Sequence, residues 1–265
     1  MARSLKKRVL TVAAASILGV AGAWAVEVDP SMILYMPFDK IDAEVATDFS
    51  DFGNHGELVG DAVISDENAR FGGALELEPP GHVLVPSDPS LNLQNMTLMF
   101  WCRFDAEPDP IQTGIERTSG WGAGEYNLNG DYNGAVILQV FDLDDGCDDE
   151  LQVGNVVDAE WHHVAGTYDS EEIVIYIDGK EARSGPCEGE IADVDAPLYI
   201  GTRGGSGRPT QGAYDEIRIY NRALDEDEIE TIMNEGPVEL LAVDPRDRVA
   251  ETWGALKSGI PIAHE

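Results

Sequence analysis

Positive charge is what this sequence has least of. Its 265 residues hold 17 Lys and Arg against 50 Asp and Glu, a formal net charge of −33 at neutral pH. A chain this acidic cannot hold a phosphate backbone or an anionic lipid surface through charge, which excludes nucleic acid and anionic membrane as partners. Cysteine is almost missing: Cys102, Cys147 and Cys187 are the whole complement. Beyond residue 25 no run approaches the roughly 20 apolar residues that a transmembrane helix needs, so no transmembrane segment is expected. Long helical periodicity is missing too. So are the G-x-S-x-G, H-E-x-x-H and Gly-rich phosphate motifs that would announce hydrolytic or nucleotide chemistry.

What is present begins with a targeting signal. Arg3, Lys6, Lys7 and Arg8 precede an apolar run from Val9 to Ala23, and Ala23-Trp24-Ala25 is an A-x-A cleavage site. Residues 1–25 therefore read as a secretory signal peptide, too short and too small at its end for a membrane span. No Cys stands at the cleavage point to carry a lipid anchor. The mature chain would keep 13 basic against 50 acidic side chains, a formal net of −37. Such a surface suits a salty medium, where repulsion is screened within about 8 Å, or one containing divalent cations, although simple solvation is the preferred reading.

Short runs with alternating apolar positions recur at 33–38, 74–77, 83–85, 97–104, 136–141, 161–168, 173–177, 198–200 and 217–220. Clusters of Gly, Pro, Asn and Asp separate them, which predicts an all-β sandwich. Asp178-Gly179 supplies the positive φ of a tight type I′ hairpin. One short helix is signalled after the last strand, with Asp225 as N-cap, Glu228 completing a capping box, and Leu224 and Ile229 as a hydrophobic staple. Ile229, Ile232 and Met233 give it an apolar stripe, and Gly236-Pro237 stops it. Residues 244–265 hold Trp253 but no periodicity.

Several motifs stand in a fixed order: L-Y-M-P-F-D (34–39), D-F-S-D-F-G-N-H-G (48–56), R-F-G-G-A-L-E-L (70–77), M-T-L-M-F-W-C-R-F (96–104), E-W-H-H-V-A-G-T-Y-D (160–169), I-V-I-Y-I-D-G-K (173–180), P-L-Y-I-G (197–201) and A-Y-D-E-I-R-I-Y-N-R-A-L (213–224). This order resembles the laminin-G-like, concanavalin A-like jelly-roll domains of secreted bacterial proteins. The resemblance implies a jelly roll of two antiparallel sheets over residues 26–237, followed by a C-terminal tail at 238–265. It also implies a structural calcium where the first and last strands meet, at positions matching Asp39, Asp215, Asn54 in the loop 48–56, and backbone oxygens near Gly72. Glycoside hydrolases share this fold. Their E-x-D-x-x-E strand does not occur here, the nearest approach being E-P-D-P-I-Q at 107–112, which ends in Gln and carries two prolines.

Residue chemistry adds its own candidates. By the period of two, Asp215 shares a strand face with Ile217 and Ile219, so an inward position requires a compensating cation: calcium, or an arginine such as Arg203 or Arg218. In T-S-G-W-G-A-G-E-Y-N-L-N-G-D-Y-N-G (118–134), Trp121, Tyr126 and Tyr132 interleave with Asn127, Asn129 and Asn133. Flat faces beside amides suit a sugar ring, and they suit core aromatics with Asn-Gly turns as well. Arg203 and Arg208 can grip an acidic saccharide or neutralise neighbouring carboxylates. His162 and His163 are adjacent on a strand and so point to opposite faces, which prevents joint chelation. The acidic run 142–150 misses the EF-hand spacing and reads as a solvated hairpin tip. Cys102 reads as a buried hydrophobe. Cys147 and Cys187, both in polar turns, are expected to pair, the alternative being three free thiols.

The expectation for function is a secreted, non-catalytic recognition module that binds carbohydrate or a glycoprotein, with a structural calcium. The alternative is a structural or adhesive surface protein in which the aromatics are core, with a glycoside hydrolase the least favoured reading.

Overall fold

Two stacked sheets carry the apolar pattern seen in the sequence. A computed structural model describes residues 29–40, 44–105, 111–118, 122–130, 134–141, 143 and 151–236. Sixteen strands are described: β1 (Met32–Met36), β2 (Val45–Ala46), β3 (Gly56–Val59), β4 (Ala62–Ser65), β5 (Ala74–Leu77), β6 (His82–Val85), β7 (Met96–Phe104), β8 (Gln112–Arg117), β9 (Tyr126–Gly130), β10 (Val136–Val140), β11 (Leu151–Val153), β12 (His162–Tyr168), β13 (Glu172–Ile177), β14 (Lys180–Pro186), β15 (Leu198–Ile200) and β16 (Gly212–Tyr220). The helix α1 (Glu226–Glu235) follows the last strand.

The first sheet runs β14-β13-β12-β7-β16-β5-β4, with β1 also paired to β16, and the second runs β11-β10-β9-β8-β15-β6-β3-β2. Sequence neighbours are repeatedly split between sheets, as a jelly roll requires. The core lies between them. On β7, Leu98, Phe100, Cys102 and Phe104 face inward to meet Tyr126, Leu128 and Leu138 of the second sheet in one buried cluster. Cys102 is buried with a free thiol, as the sequence suggested.

Local signals were read correctly where backbone chemistry dictates them. Asp178 and Gly179 have φ of 51° and 77°, the double positive of a type I′ turn between β13 and β14. A Cβ on Gly179 would also meet the Met233 methyl at 3.0 Å. The helix carries the full capping box, in which Asp225 accepts from the Glu228 N–H at 2.9 Å and Glu228 accepts from the Asp225 N–H at 3.0 Å. His162 and His163 do point to opposite faces, His163 being buried and His162 half-buried.

Candidate functional site

One edge of β16 explains where the acidic site forms. Strand β5 pairs with its N-terminal part, from Gly212 to Tyr214, and β1 pairs with its C-terminal part, from Ile217 to Tyr220. Between them lie Asp215 and Glu216, where the edge changes partner. On the opposite edge, Asp215 sits across from Trp101 and Arg218 from Met99, so β16 holds one residue more than β7. Glu216, at φ 54°, makes the bulge. This extra residue reverses the face read from the sequence. Tyr214, Ile217 and Ile219 point into the core, whereas Asp215 points with Trp101 to the other face. Asp215 is nonetheless fully buried, because the segment leading into β5 covers it.

The carboxylates there are wrapped by backbone. Asp215 accepts from the N–H groups of Phe71 at 2.8 Å and Glu216 at 2.7 Å, and Asp39 accepts from Gly73 at 3.2 Å. Gly72, at φ +27°, lies so close that an added Cβ would fall 1.9 Å from Asp39 Oδ1. Burial pushes the Asp215 carboxyl up to about 8; the Phe71 N–H opposes this shift, and the negative charges of Glu216 and Asp39 add to it. No described cation pairs with Asp215 or Asp39. Arg218 is taken by Glu216, by the Tyr35 ring 4.6 Å away and by the Gly236 carbonyl at 2.9 Å. Arg203 pairs with Glu116 at 2.9 Å. Neither arginine offered by the sequence is therefore the partner of Asp215.

The expected calcium ligands are only partly brought together. Asp39, Asp215 and the Gly72 backbone converge, but the Asn54 amide donates to the Ile33 carbonyl at 2.8 Å and the Ser90 hydroxyl at 3.0 Å. Its loop is held instead by Asp48, which accepts from the N–H groups of Tyr35, Ser50 and Asn54. Among the described residues no three His, Cys, Asp or Glu side chains form a metal cage. The donors that do converge are hard oxygens with a glycine cradle, a set that fits calcium completed by carbonyls and water.

The candidate sugar site fares differently. Trp121 and Tyr132 lie outside the described residues. Tyr126 is a core residue, fully buried, with its hydroxyl on the Leu91 carbonyl at 3.1 Å, which removes it from any ligand surface. The two asparagines beside it serve the sheet. Asn129 Oδ1 accepts the Gly114 N–H at 2.9 Å, where the β8–β9 register shifts, and Asn127 donates to Gln139 at 3.1 Å. Arg203 neutralises a carboxylate, the second of its two sequence readings. That carboxylate, Glu116, was missed: it is buried, and burial pushes its carboxyl up to about 7 although Arg203 and Arg208 pull it down. The Arg208 carbonyl accepts from the Thr113 N–H and hydroxyl.

A model of the laminin-G type, described as the concanavalin A-like lectin/glucanases superfamily, matches residues 80–230. The chain belongs to this superfamily. Solved binding domains of toxins and a domain of an arabinanase overlay 77–78% of this chain. Domain 4 of AbnA, a GH43 extracellular arabinanase from Geobacillus stearothermophilus, solved with arabinotriose, matches with a TM-score of 0.63 at 16% identity, covering 77% of this chain and 98% of that one. The binding domain of Paraclostridial Mosquitocidal Protein 1 matches with a TM-score of 0.63 at 17% identity, over 77% of this chain and 52% of that one. The binding domain of Botulinum Neurotoxin DC in complex with SialylT matches with a TM-score of 0.59 at 15% identity, over 78% and 52%. The laminin-G-like chain thus spans about half the length of these toxin binding domains, and at such identities the likeness is one of fold. No curated protein sequence matches it. Among the described residues, no helix of this laminin-G-like protein is long and apolar enough to cross a membrane.

Proposed function

We propose that this laminin-G-like protein is an exported, non-catalytic recognition module that binds carbohydrate or a glycan-bearing partner, with calcium stabilising the junction of its first and last strands. The observation that carries the recognition reading is the overlay of 77% of this chain on 98% of domain 4 of an extracellular arabinanase, a structure solved with arabinotriose. The missing E-x-D-x-x-E strand supports the absence of glycosidase chemistry. The test is a glycan array probed with the full mature chain in calcium buffer and in EDTA. Selective binding to a saccharide class supports the reading, and a blank array in both buffers overturns it.

Asp39, Asp215 and the carbonyl oxygens around Gly72 are the residues we assign to calcium. The support is the buried Asp215 carboxylate beside the exposed Asp39, with no described cation paired to either, and a cradle that only glycine leaves open. A bound calcium would supply the missing positive charge and tie β16 to the chain leaving β1 and entering β5. Thermal unfolding is expected to show a higher midpoint with calcium than with EDTA, a difference that Asp215→Ala abolishes. Equal midpoints throughout would remove calcium from the account.

Cys147, which lies outside the described residues, is proposed as the partner of Cys187. Cys102 has a free, buried thiol, which leaves Cys187 as the cysteine for Cys147 to pair with. Closing a loop of this length stabilises a fold by about 4 kcal/mol in the chain-entropy model. Intact mass and thiol counting of the secreted protein in denaturant should give a chain beginning at Val26 with a single free thiol. Three reactive thiols would refute the pairing.

A further inference from the structure

Trp161 was read from the sequence only as part of a strand motif, yet it forms a wall of an open surface groove. The groove has a volume of about 520 Å³ and is lined by Asn68, Ala69, Arg103, Asp105, Ala159 and Trp161, within the usual size of small-ligand sites. Its walls are set by the fold. Trp161 precedes β12 and is pinned at its edge by a hydrogen bond from Nε1 to the Asn68 carbonyl at 3.0 Å. Arg103, near the end of β7, lies 5.4 Å from the centre of the Trp161 ring. The same guanidinium is anchored through Nε to Asp105 at 2.9 Å, through Nη1 to the Asn68 carbonyl at 3.1 Å and through Nη2 to Glu76 at 3.1 Å.

These anchors decide what the groove can accept. Arg103 is already matched by two carboxylates, so an anionic ligand would have to displace Asp105 or Glu76 to reach it, and a cationic ligand would have to displace Arg103 to reach them. A neutral polyhydroxylated ring need break neither ion pair. Arg103 Nη1 keeps a second N–H beyond the one given to Asn68, and the exposed Asp105 carboxylate has acceptor capacity beyond its single bond from Arg103. A sugar hydroxyl both donates and accepts, and so can use both groups in charge-assisted bonds. Its C–H face would lie against the indole. The openness of the groove suits a ring within a longer chain rather than an engulfed monosaccharide.

We propose that this groove is the subsite for a neutral sugar ring of an oligosaccharide, with Trp161 as the stacking wall, Asp105 accepting from hydroxyls and Arg103 donating to them. The inference rests on the reading of the chain as a saccharide-binding module and names its site and ligand class. Its test is titration of the mature full-length protein in calcium buffer with arabinotriose, cellotriose and trigalacturonate, followed by tryptophan fluorescence and calorimetry. Asp105→Ala changes an exposed side chain and keeps the fold readable, while Trp161→Ala is used with its unfolding midpoint measured alongside. The expected result is binding of a neutral trisaccharide that weakens about tenfold or more in either variant, with trigalacturonate bound more weakly than the neutral sugar. Unchanged affinity in Asp105→Ala and in a folded Trp161→Ala would move the site elsewhere while leaving saccharide recognition intact. Preferred binding of trigalacturonate would overturn the ligand class, and no binding of any of the three by the native protein would overturn the proposal and count against the recognition reading with it.

Discussion

His162 and His163 are chain neighbours with opposite fates. His163 is buried against Trp101, with ring centres 5.4 Å apart, and burial together with the charge of Arg218 pushes its pKa down to about 3, so it stays neutral. His162 is clasped between Asp178 at 3.0 Å and Asp158 at 3.2 Å. Burial works against its charged form, but the two carboxylates outweigh it and raise its pKa above the ordinary value. A raised folded pKa stabilises the fold fully below the unfolded value of about 6.5 and loses that contribution as pH climbs through the folded value. Urea unfolding should therefore show a larger stability gap between the native protein and His162→Gln near pH 5.5 than near pH 8.5. The difference should stay below about 1 kcal/mol, because these groups are partly solvated. A gap that is flat or grows with pH would refute the clasp. The opposite faces of this pair were legible from the period of two. For Asp215 the same rule failed, because the bulge rests on Glu216 at φ 54°, and glutamate carries no sequence signal for a left-handed backbone.

Elements were legible where local chemistry and burial agree. Helix α1 is the clearest case, since its capping box is written in residues 225–228 and its stop in Gly236. Asp225→Ala removes the side chain that accepts the Glu228 N–H and should cost about 1 kcal/mol in denaturant unfolding; no measurable change would show that the Arg222–Glu228 contact holds the helix start without the cap. Strand β14 was legible only as the far arm of the Asp178-Gly179 hairpin, because Lys180 to Pro186 reads K-E-A-R-S-G-P with no apolar run and its residues are exposed or only half-buried. A charged sequence is what a sheet edge needs to avoid pairing with other chains. Strand β9 was misjudged for another reason. Its sequence Y-N-L-N-G alternates correctly, with Tyr126 and Leu128 in the core, but its outward asparagines are buried and bonded within the sheet rather than offered to a ligand.

At the scale of the whole molecule, the order of motifs carried the fold. The motifs mark strands and corners of the jelly roll, among them the Asp39 exit from β1, the Gly72 approach to β5, the hairpin at Asp178-Gly179 and the β16 bulge at Glu216. The ligand was not legible in the same way. The aromatics that looked available were core or lay outside the described residues, while Trp161 sat inside a motif that looked purely structural. Its groove exists only because the segment holding Asn68 folds across to meet the end of β7 and the start of β12, a convergence of residues up to 93 positions apart. The strong negative charge likewise named excluded partners without naming a favoured one.

The central claim is recognition without cleavage. The measurement that tests it most directly is calorimetric titration of the full mature chain, in calcium buffer, with the saccharide that the glycan array selects, followed by chromatography of the same mixture after prolonged incubation. The account predicts saturable binding with the saccharide recovered intact. Shortened products would make the protein a glycosidase, and absence of saturable heat would leave the jelly roll as a structural or adhesive module whose partner is not a glycan.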